Sequence, residues 1–127
     1  MPGSRFGFKR LDVHQAALAF WQWVLRVATR IPRNRFFVTD QFLRAALSIS
    51  LNIAESAGNK TPGEAANHCR HASGSTTECA ALLDSLLAMG VISEKEYDEQ
   101  EERLARIAAM LTRLLQRHER RSRNRTR

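Results

Sequence analysis

Cysteine, proline and glycine are all scarce in this chain, and each scarcity removes a class of protein. Two cysteines, Cys69 and Cys79, cannot build the disulfide framework that holds small secreted domains together. Their separation suits no zinc site, and no Cys/His pair elsewhere completes a tetrahedral set. Both read as small core residues. Three prolines and six glycines leave long stretches free of helix breakers. No run approaches the roughly 18 apolar residues of a membrane span. Ala16 to Ala28, behind Lys9 and Arg10, has the outline of a secretory signal. Gln22 and Arg26 interrupt it, however, and no small-residue cleavage site follows. A cytoplasmic protein is the expectation.

What is present is one domain's worth of chain, 127 residues with 43% apolar and 26% charged side chains, enough to bury a core. The net charge of +7 is unevenly placed. Arg117 to Arg127 holds six arginines against one glutamate, while the other 116 residues carry 14 basic and 12 acidic side chains. The basicity is mostly a tail.

Apolar periodicity predicts four helices and no strand. The first runs from about Val13 to Arg30, with Asp12 and Gln15 as a capping pair and Ile31-Pro32 as its stop. Ala17, Phe20, Trp21, Val24, Ala28 and Ile31 form its inner stripe. The second begins near Thr39 and ends at Gly58, expected to be left-handed, with Phe42, Ala46, Ile49, Ile53 and Ala57 inward. The third opens on Thr61-Pro62-Gly63-Glu64 and stops at Gly90. The fourth opens on Ser93-Glu94-Lys95-Glu96, with Tyr97, Leu104, Ile107, Leu111, Leu114 and His118 inward. The fold class is all-α, an antiparallel up-down-up-down four-helix bundle over residues 12–118. An extended segment, 1–11, precedes it, and a basic tail, 119–127, follows. Phe36 and Phe37 are expected to plug one end of the bundle.

The run Gln41-Phe42-Leu43-Arg44-Ala45-Ala46-Leu47-Ser48-Ile49-Ser50-Leu51-Asn52-Ile53-Ala54-Glu55 resembles the four-helix-bundle family of 23S rRNA intervening-sequence proteins. Leu11-Asp12-Val13, Ile31-Pro32 and Ala72-Ser73-Gly74-Ser75-Thr76-Thr77-Glu78 extend the resemblance over residues 8–118. Ser56-Ala57-Gly58 stands where the family usually has glycine directly after the glutamate. The resemblance implies a four-helix bundle, a tendency to ring-shaped homopentamers and no demonstrated catalysis. More distant relatives include the accessory protein of diversity-generating retroelements, a basic pentamer that engages nucleic acid and a reverse transcriptase. Fold alone does not fix function.

Several residues remain beyond the expected core. On the second helix Gln41, Arg44, Ser48, Asn52 and Glu55 share a polar stripe, with Ser75 and Glu78 on the third helix as partners. The stripe is either a solvated face or a hydrogen-bonded network packed on another helix or subunit. Trp23, Leu47 and Leu51 lie outside the inner stripes and suit an oligomer interface. For Trp23, a lone exposed aromatic or a base-stacking platform are the alternatives. His68 and His71 are one turn apart, yet the Glu-x-x-His pairs of di-metal bundles are missing, so no metal or other cofactor is expected. Ser75 in mid-helix lacks the strained turn of a nucleophile, and no enzyme is expected. Gly74 is read as permitting close helix approach.

Arginine in the tail can hold phosphate bidentately. Lys9, Arg10, Arg33, Arg35, Arg117, Arg120, Arg121, Arg123, Arg125 and Arg127 are the candidate nucleic-acid contacts. An acidic protein partner and simple solubility are the other uses of such a tail. The leading expectation is a non-catalytic homo-oligomer binding RNA or DNA, and the alternative is a protein adaptor beside a separate enzyme.

Overall fold

A computed structural model describes residues 4–58 and 60–125. Four helices carry the fold: α1 (Asp12–Ala28), α2 (Phe36–Ser56), α3 (Pro62–Ala88) and α4 (Glu94–Arg125). Short 3-10 turns at Gly7–Arg10 and Arg33–Arg35 precede α1 and α2, so part of the segment expected to be extended is coiled. No strand occurs among the described residues. No helix among them is long and apolar enough to cross a membrane.

Each helix packs on its two cyclic neighbours, α1 on α2, α2 on α3, α3 on α4 and α4 on α1, and the diagonals stay apart. Side-chain contacts fix the directions. Arg30, just past α1, reaches Glu96 at the start of α4 at 2.9 Å. Tyr97, early in α4, donates to Asp84, late in α3. Asn52, late in α2, meets His68, early in α3. Neighbours therefore run in opposite directions, and the molecule has two ends.

Local chemistry sets the boundaries. At α3 the amide of Glu64 donates to Thr61 Oγ1 at 3.2 Å, and the threonine hydroxyl donates to the glutamate at 2.8 Å. At α4 the Glu96 amide donates to Ser93 Oγ, and the Ser93 amide donates back to the Glu96 carboxylate, both at 3.1 Å. This closes a full capping box. The expected box at α1 does not form: Leu11 occupies the cap, Asp12 is already helical and no side chain caps the helix. Gly90, with φ of 74°, ends α3. The Val91 amide reaches Leu86 and the Gly90 amide reaches Leu87, each at 3.0 Å, the paired bonds of a left-handed helix end. Gly58 does not share this conformation, so the expected left-handed stop of α2 is corrected.

The core joins Phe20, Val24 and Val27 of α1 to Phe42, Ile49 and Ile53 of α2, Leu83 and Leu86 of α3, and Ile107 and Leu111 of α4, all fully buried. Each contributes about 1.5–3 kcal/mol by leaving water. Cys79 is buried in this cluster, and Cys69 is buried as well, as expected.

Several expectations are overturned. Trp23 is 7% exposed, packed against Phe20 and Phe42 with ring centroids 5.9 and 6.2 Å away. The buried series 17–20–24–27–31 steps alternately by three and four. It draws in Trp23 and Val27 and leaves Trp21 and Ala28 half-buried, so Trp23 is core and not an oligomer surface. Phe36 and Phe37 are each 68% exposed, because α2 starts at Phe36 and Val38 takes the inward position. Gly74 permits no close approach either: a methyl group there would meet nothing within 4 Å. Ala57, expected inward, is exposed.

Candidate nucleic-acid interface

The charge of the bundle is sorted by end, and α4 shows the sorting within one helix. Residues 94–102 hold six acidic side chains against Lys95. Residues 103–125 hold eight arginines against Glu119. Acid at a helix start and base at its end both favour the peptide dipoles, which helps the arrangement fold. The segment expected as a tail beyond 118 continues this helix to Arg125. Arg127 lies outside the described residues.

Arg106, Arg113, Arg117 and Arg120, spaced seven, four and three apart, share the solvent face of α4 and are all exposed. They span about 21 Å at 1.5 Å per residue. Among the described residues no carboxylate pairs with Arg113, Arg117, Arg120, Arg121 or Arg125. Arg70 does pair, with Glu119 at 3.0 Å, which ties the start of α3 to this end. Leu11, Asp12 and Val13 line a recess with Arg113 and Arg117, so the N-terminal segment, bearing Lys9 and Arg10, lies at the same end.

Arg33 and Arg35 do not. They precede α2, whose 21 residues separate them from the N-terminal segment by about 30 Å. The candidate contacts thus split into a large group at one end and a pair at the other. Sequence reasoning treated the arginines as one set because only the antiparallel course of the helices separates them. It left Arg106 and Arg113 out of the contacts, Arg113 being read as a charge favouring the helix-end dipole, although their spacing with Arg117 and Arg120 was the available signal.

Two histidines lie beneath the basic end. His118 is buried with Nε2 unpartnered, and burial, then Arg121 and Arg117, push its pKa below the usual 6.5. His14 is buried with Nδ1 unpartnered, and burial, then Lys9, act in the same direction.

The polar stripe of α2 faces α3. Ser75 donates to Ser48 Oγ at 2.9 Å, and Asn52 Nδ2 donates to the same Ser48 oxygen at 3.0 Å. Asn52 Oδ1 lies 3.1 Å from His68 Nδ1, and Gln41 donates to Glu78 at 3.2 Å. Arg44 and Glu55 are not brought in: they turn outward to Asp40 and Lys60, at 3.0 and 3.3 Å. His68, singled out in the sequence as a metal candidate, is a member of this seam. Among the described residues no three His, Cys, Asp or Glu side chains converge as metal ligands. Burial pushes the Cys79 thiol up to about 12, far from a nucleophile's range. Leu47 and Leu51, one turn apart on α2, are 38% and 55% exposed.

Four antiparallel helices with a polar seam and an arginine-rich end define a small all-α bundle protein. The family described as 23S rRNA-intervening sequence protein matches residues 9–113, and the chain belongs to that family. The matched region stops before Arg117, so the last arginines of α4 lie beyond it. Among solved structures the chain is similar to a protein of unknown function from the S23 ribosomal protein family of Bacteroides thetaiotaomicron. They share 20% identity and a TM-score of 0.75, over 82% of this chain and 95% of that one. Comparison with curated proteins finds no match.

Proposed function

We propose that this protein is a non-catalytic cytoplasmic scaffold that holds the phosphate backbone of RNA on the arginine end of its bundle. The observation that carries the reading is the segregation of charge along α4, with Arg113, Arg117, Arg120 and Arg121 exposed and unneutralised. Lys9 and Arg10 extend the surface. The family's tie to 23S rRNA favours RNA, and rRNA in the first place, over DNA. Phosphate contacts fix position without reading sequence, and no groove-reading motif accompanies them, so binding is largely indifferent to sequence. Fluorescence anisotropy across a salt series tests this. Three to five phosphate contacts give a log–log slope of roughly −2 to −4. No binding at low salt overturns the reading, and a protein adaptor for an acidic partner takes its place.

The same scaffold is proposed to assemble as a closed homo-oligomer, with five subunits favoured, through the face bearing Leu47 and Leu51. Multiple arginine ends on one ring raise apparent affinity through effective concentration. Leu51→Glu buries an unpaired charge in such an interface, at a cost of several kcal/mol, and dissociates the ring. Light scattering coupled to size exclusion decides the matter. A wild-type monomer at tens of micromolar removes the assembly and leaves the arginine end standing.

A further inference from the structure

We infer that the basic end also carries a seat for one unpaired nucleobase, between the N-terminal segment and the end of α2, with Phe6 as its stacking platform. The inference rests on the reading of that end as an RNA surface and adds the class of RNA, single-stranded rather than duplex.

A cavity of about 380 Å³ opens at this place, within the roughly 300–1,000 Å³ of small-ligand sites. Phe6, Phe8 and Leu11 form one wall, and Ala54, Ala57 and Gly58 form the other. The second wall has side chains of one carbon or none, so a flat ring can lie close to the backbone of α2. Arg5 also lines the cavity and adds a cation.

The two phenylalanines have different tasks. Phe8 is half-buried and meets His14 edge-on, with ring centroids 5.0 Å apart, which anchors the segment to α1. Phe6 borders the cavity and meets Phe8 at a tilt, with ring centroids 6.2 Å apart, yet keeps 61% of its surface exposed, so most of the ring remains open to a ligand. Lys9 Nζ lies over the Phe6 ring, 5.7 Å from its centre, so a base would stack on the opposite face with this cation behind the ring. The Arg10 guanidinium donates to the Ser4 carbonyl at 3.0 Å and braces the turn that presents the ring. An aromatic face, an apolar slot and flanking cations are what a single strand needs, because its bases can splay out and stack while its phosphates meet the cations. A duplex keeps its base faces stacked and cannot enter. Trp23 is buried and cannot serve this role.

The other end of the molecule supplies the control. Phe37 is 68% exposed and follows Arg33 and Arg35 in sequence, but it projects from the end that holds the acidic half of α4.

The test uses the whole protein and anisotropy with three RNAs: a uridine-rich single strand, the same strand with abasic sites, and a blunt duplex of equal length. Phe6→Ala is expected to weaken the single strand by about tenfold, the effect of one lost stack. It should leave the duplex and the abasic strand unchanged. Phe6→Trp restores binding, Ala57→Phe fills the slot and reproduces the loss, and Phe37→Ala does nothing. Thermal melts of each variant check that the bundle is intact. The inference is overturned if Phe6→Ala leaves single-strand affinity unchanged, or weakens duplex and single strand alike. If the wild type binds none of the three RNAs at low salt, the arginine-end reading itself fails and this inference falls with it.

Discussion

The two ends of this bundle differ far more than its net charge of +7 suggests. At one end α4 begins with six carboxylates in nine residues, and at the other it finishes with a run of arginines. Its 32 residues extend about 48 Å, whereas charges are screened over about 8 Å at physiological salt. The acidic end therefore does nothing to neutralise the basic one, and a polyanion approaching the arginines meets a local field well above the molecular average. Net charge is the wrong quantity for a molecule shaped this way. Charge per end is the useful one.

The comparison breaks first, if it breaks, under charge reversal. Arg113→Glu, Arg117→Glu and Arg120→Glu together remove three of the proposed phosphate contacts and add three repulsions. RNA affinity should fall at least about a hundredfold near 50 mM salt, where such contacts count most. Truncation before Arg117 is a poorer experiment, because His118 is buried and Glu119 pairs with Arg70.

The seam between α2 and α3 comes next, since it runs from one end toward the other. Asn52→Ala strips partners from half-buried Ser48 and His68 and should cost about 1–3 kcal/mol in denaturant melts at fixed oligomer state. Gln41→Ala and Glu55→Ala, both at exposed positions, should stay within about ±0.5 kcal/mol. Equal costs at all three would mean that the seam is not the ordered element described.

Lowering the pH sharpens the contrast further. His14 and His118 have depressed pKa values in the fold, so below 6.5 the unfolded chain binds more protons and stability falls as pH drops. Glu96 and Glu64 are held low by hydrogen bonds at the α4 and α3 caps, from the Ser93 amide and the Thr61 side chain first. Their contribution persists above the ordinary value of 4.5 and is lost only below it. Melts between pH 7.5 and 5 should thus report the histidines, and His118→Gln should flatten that limb.

Smaller still is Gly74→Ala. The position is exposed in mid-helix and a methyl group has room, so stability should rise by about 0.5–1 kcal/mol. A loss of assembly instead would place α3 in the subunit contact. Least of all, Arg33→Glu with Arg35→Glu should change RNA affinity by no more than about twofold, since both sit at the acidic end.

Helix number, the caps at Thr61 and Ser93, and most of the core were legible because capping boxes and apolar spacing are local signals. Trp23, Phe36 and Phe37 were misread because a start displaced by three residues, or a stripe turned slightly, reverses which aromatic faces inward. The polar stripe was found, but its members could not be sorted. Asn52 and Ser48 differ from Arg44 and Glu55 by tens of degrees of helix phase, which only the position of α3 decides. The arginines were visible in composition. The gathering of most of them at one end, and the cavity beside Phe6, depend on helix direction and on the folding back of residues 4–11, which no local pattern encodes.

Hydrogen–deuterium exchange of the full-length protein, with and without a single-stranded RNA, addresses the central claim most directly. Protection should appear over residues 5–11 and 113–125, with exchange unchanged over 33–40 and 90–102. Protection confined to the acidic end, or spread evenly over both ends, would contradict the assignment of RNA to the arginine end.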